Sequence, residues 1–138
     1  MKVVVETPKW SMTKYADKEG VFEIEYRSLL PTLFNYGYVK YTVGADGQPK
    51  DAVILGRRLK QGEGVEVREV GVVHFIDDGL VDDKIITSFN GRIRFIDKVL
   101  IHVFFTAYML FKITKYYVDE DRVARCRYIG FSLLPQVQ

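Results

Sequence analysis

Along the first part of the chain, apolar and polar residues alternate in short runs broken by turn residues, which predicts strands rather than helices. Val3-Val4-Val5 reads as a first strand, ended at Thr7-Pro8 because proline has no amide to donate to a ladder. From Val21 to Tyr26 the pattern sets Phe22, Ile24 and Tyr26 on one face and Glu23 and Glu25 on the other. Tyr38 to Val43 repeats it and runs into the turn chemistry of Gly44-Ala45-Asp46-Gly47. Ala52 to Leu55 is a short apolar strand. Gln61-Gly62-Glu63-Gly64 then turns the chain into a long strand, Val65 to Ile76, with Gly71 as its expected bend or bulge. Lys84 to Thr87 adds another short strand.

The period then changes. From Arg92 to Lys115 the apolar positions are Ile93, Ile96, Leu100, Val103, Phe104, Ala107 and Phe111, the spacing of a helix laid across a sheet. Val118-Asp119-Glu120-Asp121 reads as a turn, and Val123 to Phe131 as a last extended piece. Close-spaced short strands with one long C-terminal helix predict an α+β, mainly β, fold built on a small closed barrel. With no repeat, low-complexity tract or linker, the 138 residues are expected to form one domain, 1–138.

Composition narrows the functional classes. Net charge of +2 and the lack of a basic stripe with exposed aromatics argue against nucleic acid. The apolar segment Val99 to Ile113 spans roughly 15 residues, short of the roughly 20 a membrane helix needs, and reads as a core helix. A single cysteine, Cys126, excludes an internal disulfide and a thiolate zinc cage. With Glu6 so close to the start, no export signal is legible, and a cytoplasmic location is the expectation.

No phosphate-binding glycine loop, dinucleotide fingerprint or nucleophile elbow is present. His74 and His102 have no metal-spaced partner and read as structural. Asp77 to Asp83 is not an EF-hand, because its twelfth position is Ser88 rather than glutamate. Two features carry chemistry. The turns Asp46 to Asp51 and Asp77 to Asp83 each adjoin an apolar strand, and if they meet they crowd four or more carboxylates. Two unit charges about 4 Å apart repel by roughly 4 kcal/mol at an effective dielectric of 20, so such a cluster protonates, separates or holds a hard cation. From the residues alone, two solvated turns that never meet remain the simpler account. Beside them stand cationic and phenolic groups, Lys14, Arg27, Tyr36 and Lys84, of the kind that grip phosphate oxygens.

Taken in order, these segments resemble the family I soluble inorganic pyrophosphatases over roughly residues 3 to 112. Val3 to Lys9 is similar to the family's opening VVIEIPKGS strand, Lys14-Tyr15 to its KYE, and Asn35-Tyr36-Gly37-Tyr38 to NYGF or NYGY. Asp46-Gly47-Gln48-Pro49-Lys50-Asp51 resembles the central DGDPxD, Val65 to Val73 resembles IEVRPIGVL, Asp77 to Lys84 resembles DExxxDxK, and Phe104 to Tyr108 resembles FFxxYK. The resemblance implies a five-stranded OB-like barrel. It also implies Mg²⁺, with Mn²⁺ or Zn²⁺ as alternatives, held by Asp46, Asp51, Asp77 and Asp82 with Glu6 as an outer carboxylate. Lys14, Arg27, Tyr36, Lys84 and Tyr108 would bind diphosphate, and Asp51, Tyr36, Lys14, Arg27 and Lys84 would form the catalytic set. A homo-oligomer is implied as well. Departures fall in the same place: Gln48 stands where the family has the acid that serves as base, Ala16 replaces an acid, and Met109 replaces a lysine. A weakened hydrolase of diphosphate, or an inactive relative binding metal and a phosphorylated ligand, are therefore the two expectations.

Overall fold

The computed structural model describes residues 1–44 and 46–135. Ten strands and one helix follow in the order β1 (Lys2–Thr7), β2 (Thr13–Lys18), β3 (Val21–Arg27), β4 (Asn35–Val39), β5 (Asp51–Ile54), β6 (Gly64–Glu66), β7 (Arg68–Asp77), β8 (Leu80–Val81), β9 (Lys84–Ser88), α1 (Phe95–Glu120) and β10 (Arg127–Leu133). The main ladder runs β10-β7-β9-β5-β4-β1-β6, with β8 paired to β7, while β2 and β3 form a separate hairpin. The ladder is open rather than closed, which departs from the closed barrel expected. β6 and β7 are nevertheless two parts of one run, the long strand expected from Val65 to Ile76, interrupted only at Val67. Its first part pairs with β1 and its second with β9, so the chain itself completes a five-strand circuit of β1, β4, β5, β9 and β6-β7.

Alternation along the strands separates two cores. Val3, Val5, Val39, Ala52, Ile54, Leu59, Val65 and Val67 pack together inside the circuit. Tyr36, Val53, Leu55, Val73, Phe75 and Ile86 point outward and meet Ile101, Phe104, Phe105 and Tyr108 of α1. Neighbouring residues Ala52, Val53 and Ile54 thus serve both cores, which is why this strand has no polar face. The bulge expected at Gly71 is present, as a register shift against β9 between Glu69 and Gly71. A Cβ at Gly71 would collide with the Ser132 carbonyl of β10, so the site needs glycine.

Several boundaries differ from the sequence expectation. Strand β2 was not foreseen, because Thr13–Lys18 carries no apolar alternation; its partner β3 and the positive φ of Glu19 and Gly20 close the hairpin. Strand β4 ends at Val39, and Tyr41 turns the chain with φ 64°, so Tyr38 to Val43 is not one strand. The helix continues through Val118-Asp119-Glu120, where a turn was expected, and stops where Asp121 adopts φ 52° and its N–H reaches the Tyr117 carbonyl. At its start the Asp97 carboxylate accepts from the Arg94 N–H at 3.0 Å, which caps it.

Candidate active site

Strands β5 and β9 are parallel, with Asp51 opposite Lys84 where both begin. That register brings the two acidic turns to one end of the circuit. The second turn is a tight hairpin: Asp78 and Gly79 both have positive φ, the geometry an Asp-Gly pair favours between β7 and β8. Between the turns and the β2-β3 hairpin lies a cleft of about 1030 Å³, at the upper end for small-molecule sites. Glu6, Asp46, Asp51, Asp77 and Asp82 all border it, as do Lys14, Tyr36, Lys84 and Tyr108. The two turns therefore border one cleft, joined across it by Lys84 between Asp51 and Asp82.

Asp51, Asp77 and Asp82 each have an ammonium partner. Lys84, only 1% exposed, sets its Nζ 2.9 Å from Asp51 Oδ2 and 2.8 Å from Asp82 Oδ1. Burial opposes its charge, but Tyr108, Asp51 and Asp82 outweigh that and hold the ammonium protonated above the usual lysine range. Burial likewise opposes ionisation of Asp82, and Lys84 reverses the sign, holding the carboxyl below its usual range. Asp77 Oδ2 lies 3.1 Å from Lys112 Nζ. Asp46 is exposed and accepts from the Gln48 N–H at 2.9 Å, closing its own turn. Glu6 accepts from the Asp17 N–H at 2.7 Å, yet burial pushes its carboxyl up. Of the acidic run, Asp78 borders the cleft but forms a bidentate pair with Arg122, and Asp83 accepts from the Phe75 N–H.

The cations stand over aromatic faces. Lys14 Nζ lies 5.5, 5.4 and 5.8 Å from the rings of Tyr26, Tyr36 and Tyr108 and 3.9 Å from Glu25. Burial pushes the Tyr36 phenol up, and among the described residues its buried Oη finds no hydrogen-bond partner. An unsatisfied buried hydroxyl at a cleft wall is costly unless a ligand oxygen completes it. Lys112, 12% exposed, lies over Tyr26, Tyr108 and Tyr116.

Two residues stand differently from the expected set. Arg27 does not border the cleft: it is exposed on β3, next to Tyr26, which faces Lys14 and Phe111, so alternation turns Arg27 to the other side. Lys112 was overlooked. The lysine absent at Met109 has a substitute one turn further along the same helix, four residues after Tyr108, and that spacing was the available signal.

Among the described residues, no three His, Cys, Asp or Glu side chains stand close enough together to hold a metal as a cage. The donors do fit a hard cation in kind, since Mg²⁺ typically takes one or two carboxylates, keeps several waters and shares substrate phosphate oxygens. Asp51 and Asp82, drawn to one Lys84 nitrogen, are such a pair.

A cleft combining oxygen donors for a hard cation with buried lysines for an anion has the chemistry that suits a phosphorylated ligand. The profile of the inorganic pyrophosphatase family matches residues 3–127. The inorganic pyrophosphatase of Sulfolobus acidocaldarius is 37% identical over 92 residues, 62% of this chain and 53% of that protein. That of Haemophilus influenzae is 34% identical over 91 residues, 62% of this chain and 52% of the relative. The chain belongs to the inorganic pyrophosphatase family, and its motifs are those of the family I soluble type. Its matches span about half the length of these relatives. Among solved structures, the inorganic pyrophosphatase of Neisseria gonorrhoeae superposes with a TM-score of 0.75 at 25% identity, covering 96% of this chain and 82% of that one. The Thermus thermophilus enzyme, at 0.80 and 20% identity over 96% and 82%, shares the fold.

Proposed function

We propose that this chain binds inorganic diphosphate with Mg²⁺ in the Asp51–Lys84–Asp82 cleft and hydrolyses it to two phosphates, as a single cytoplasmic domain over residues 1–138. The observation that carries this reading is the shared ammonium of Lys84 between Asp51 and Asp82, in a cleft that also presents Lys14, Lys112 and the unsatisfied Tyr36 hydroxyl. Asp46, Asp51, Asp77 and Asp82 would hold the cation, Mg²⁺ by donor type with Mn²⁺ or Zn²⁺ as alternatives; among the described residues lining the cleft the metal donors are carboxylates, which suits a hard cation best. When bound, the cation supplies Lewis-acid polarisation of phosphoryl oxygens and acidifies nearby water.

The chain's own residues do the rest. Lys14, Lys84 and Lys112 neutralise and orient the diphosphate, and Tyr36 donates to one of its oxygens. Water attacks one phosphorus, the bridging P–O bond breaks, and the departing phosphate leaves with that electron pair. The water proton needs an acceptor. Gln48, on the cleft wall, can position water but cannot take a proton, so the carboxylates of Asp51 and Asp46 remain for that task. Loss of a general base costs on the order of 10²–10⁴-fold, so slow turnover is the expected outcome.

The substitutions at Gln48, Ala16 and Met109 support a second reading, a non-catalytic binder of Mg²⁺–diphosphate. Phosphate release with Mg²⁺ and with chelator, run beside calorimetric binding, separates the two. Mg²⁺-dependent release supports hydrolysis; binding without release supports the binder; neither sinks both. A homo-oligomer is part of the same proposal, with no role assigned to membrane or nucleic acid. No described helix is long and apolar enough to cross a membrane.

A further inference from the structure

Three cations neutralise the acids of the cleft, and they differ in depth. Lys84, 1% exposed, serves Asp51 and Asp82, and Lys112, 12% exposed, serves Asp77. Asp78, on the cleft wall, is served by Arg122, which stands behind it and is 43% exposed. Arg122 Nη1 and Nη2 each lie 2.7 Å from one Asp78 oxygen, and Nη2 also lies 3.4 Å from Glu120 Oε1. The same guanidinium lies 4.9 Å from the centre of the Tyr116 ring, which Lys112 approaches to 5.5 Å.

Arg122 meets Asp78 across 44 residues because of how the helix ends. α1 runs on to Glu120, Asp121 takes the left-handed φ of 52°, and the chain turns back toward the β7-β8 hairpin. There the Gly79 N–H donates to the Arg125 carbonyl at 3.0 Å. This backbone tie holds the two segments together independently of the side chains, so the Arg122–Asp78 pair can open without separating them. A pair this open to water is weak and screened by salt. A divalent cation carries twice the charge of the guanidinium it would have to displace.

We propose that Arg122 is an internal counter-ion that competes with the divalent cation for Asp78, and so sets how tightly the cleft binds that cation. Paired with Arg122, Asp78 adds no net charge to the rim. Without the guanidinium, its carboxylate is a free negative charge beside Asp77. A unit charge about 7 Å from a divalent ion in water changes the affinity roughly sevenfold, in the direction its sign dictates. Arg122 thus acts through Asp78, from outside the cleft, and leaves the Asp51–Lys84–Asp82 group as it is.

The inference rests on the cation site of the proposed function, and its test reads binding rather than turnover. Mg²⁺ alone is titrated calorimetrically into the whole chain at low salt, with no diphosphate present. Arg122→Met, which keeps an unbranched side chain over Tyr116, should bind Mg²⁺ roughly five- to tenfold more tightly than the natural chain. Asp78→Asn, which leaves the guanidinium uncompensated, should bind it more weakly by a similar factor. The double variant, neutral again at this place, should return to within about twofold of the natural chain. Both differences should shrink at about 0.5 M salt. Arg122→Gln replaces Arg122→Met if the latter loses its far-ultraviolet circular dichroism. A pair that merely props the turn would weaken binding in both single variants, and that pattern overturns the proposal, as does an unchanged affinity in Arg122→Met. Mg²⁺ binding by none of the chains overturns the cation site and this inference together. Binding by the natural chain without the opposite signs in the two variants overturns this inference alone.

Discussion

Replacing Lys84 by methionine removes the ammonium between Asp51 and Asp82 while keeping an unbranched side chain in the same slot. Removing one partner of a buried ion pair costs roughly 3–5 kcal/mol when both ends are dry. Here Lys84 is 1% exposed, whereas Asp51 and Asp82 are 38% and 24% exposed, so water screens the two orphaned carboxylates and about 2 kcal/mol is the reasoned cost. Urea unfolding at neutral pH, in chelator, should show that loss as a lower midpoint at unchanged slope. Mg²⁺ should then reverse much of it. An ion that binds only the folded form adds about 2.7 kcal/mol at a hundred times its dissociation constant, and Asp51 and Asp82 without Lys84 are freer to receive it. Two results would refute the reasoning: a Lys84→Met midpoint equal to that of the natural chain in chelator, or a loss that Mg²⁺ leaves untouched.

Gln48→Asp should raise phosphate release from diphosphate at least tenfold, read by a colorimetric phosphate assay; an unchanged rate means that proton transfer does not limit turnover. Lys112→Met should weaken diphosphate binding about tenfold by calorimetry, whereas Lys115→Met, which removes only an exposed pair with Asp119, should leave it unaltered. Glu6→Gln tests a pH effect. Burial raises the Glu6 carboxyl in the folded state, so ionisation disfavours the fold and stability falls as pH rises from its ordinary value, near 4.5, through the raised one. The amide should therefore be more stable than the natural chain at pH 7, and the advantage should fade below pH 4; denaturant midpoints across that range check it. Asp82 has the opposite sign: its lowered carboxyl favours the fold above the ordinary range, and that contribution is lost on acidification. Asp82→Asn should flatten the acid limb of the same curve.

Alternation located β3, a long apolar run located β7 and the period change located α1, but β3 has no dry face: Ile24 is exposed, and the register shifts between its pairing and that of Tyr26. The strands that resisted were those governed by neighbours. β2, with its mixed Thr-Lys-Tyr-Ala-Asp-Lys, is a strand only because β3 folds back on it. The true end of α1 lies five residues beyond Lys115, since Tyr116 and Tyr117 continue its surface and only the Asp121 backbone stops it. At the site, motif order named Asp46, Asp51, Asp77, Asp82, Lys14 and Lys84, and these line one cleft. Convergence itself was invisible, because it depends on the parallel register of Asp51 with Lys84 across 33 residues. Arg27 matched in order but not in facing, and Lys112 faced the cleft without matching a motif. Motif position alone does not fix which side of a strand or helix a residue occupies.

Phosphate release from diphosphate by the natural chain, by Asp51→Asn and by Lys84→Met, each with Mg²⁺ and with chelator, bears most directly on the cleft's role. Mg²⁺-dependent release by the natural chain, cut at least a hundredfold in both variants, is the result that follows from a reaction held between Asp51, Lys84 and Asp82. Release that persists in either variant, or that proceeds equally well in chelator, would place the chemistry elsewhere.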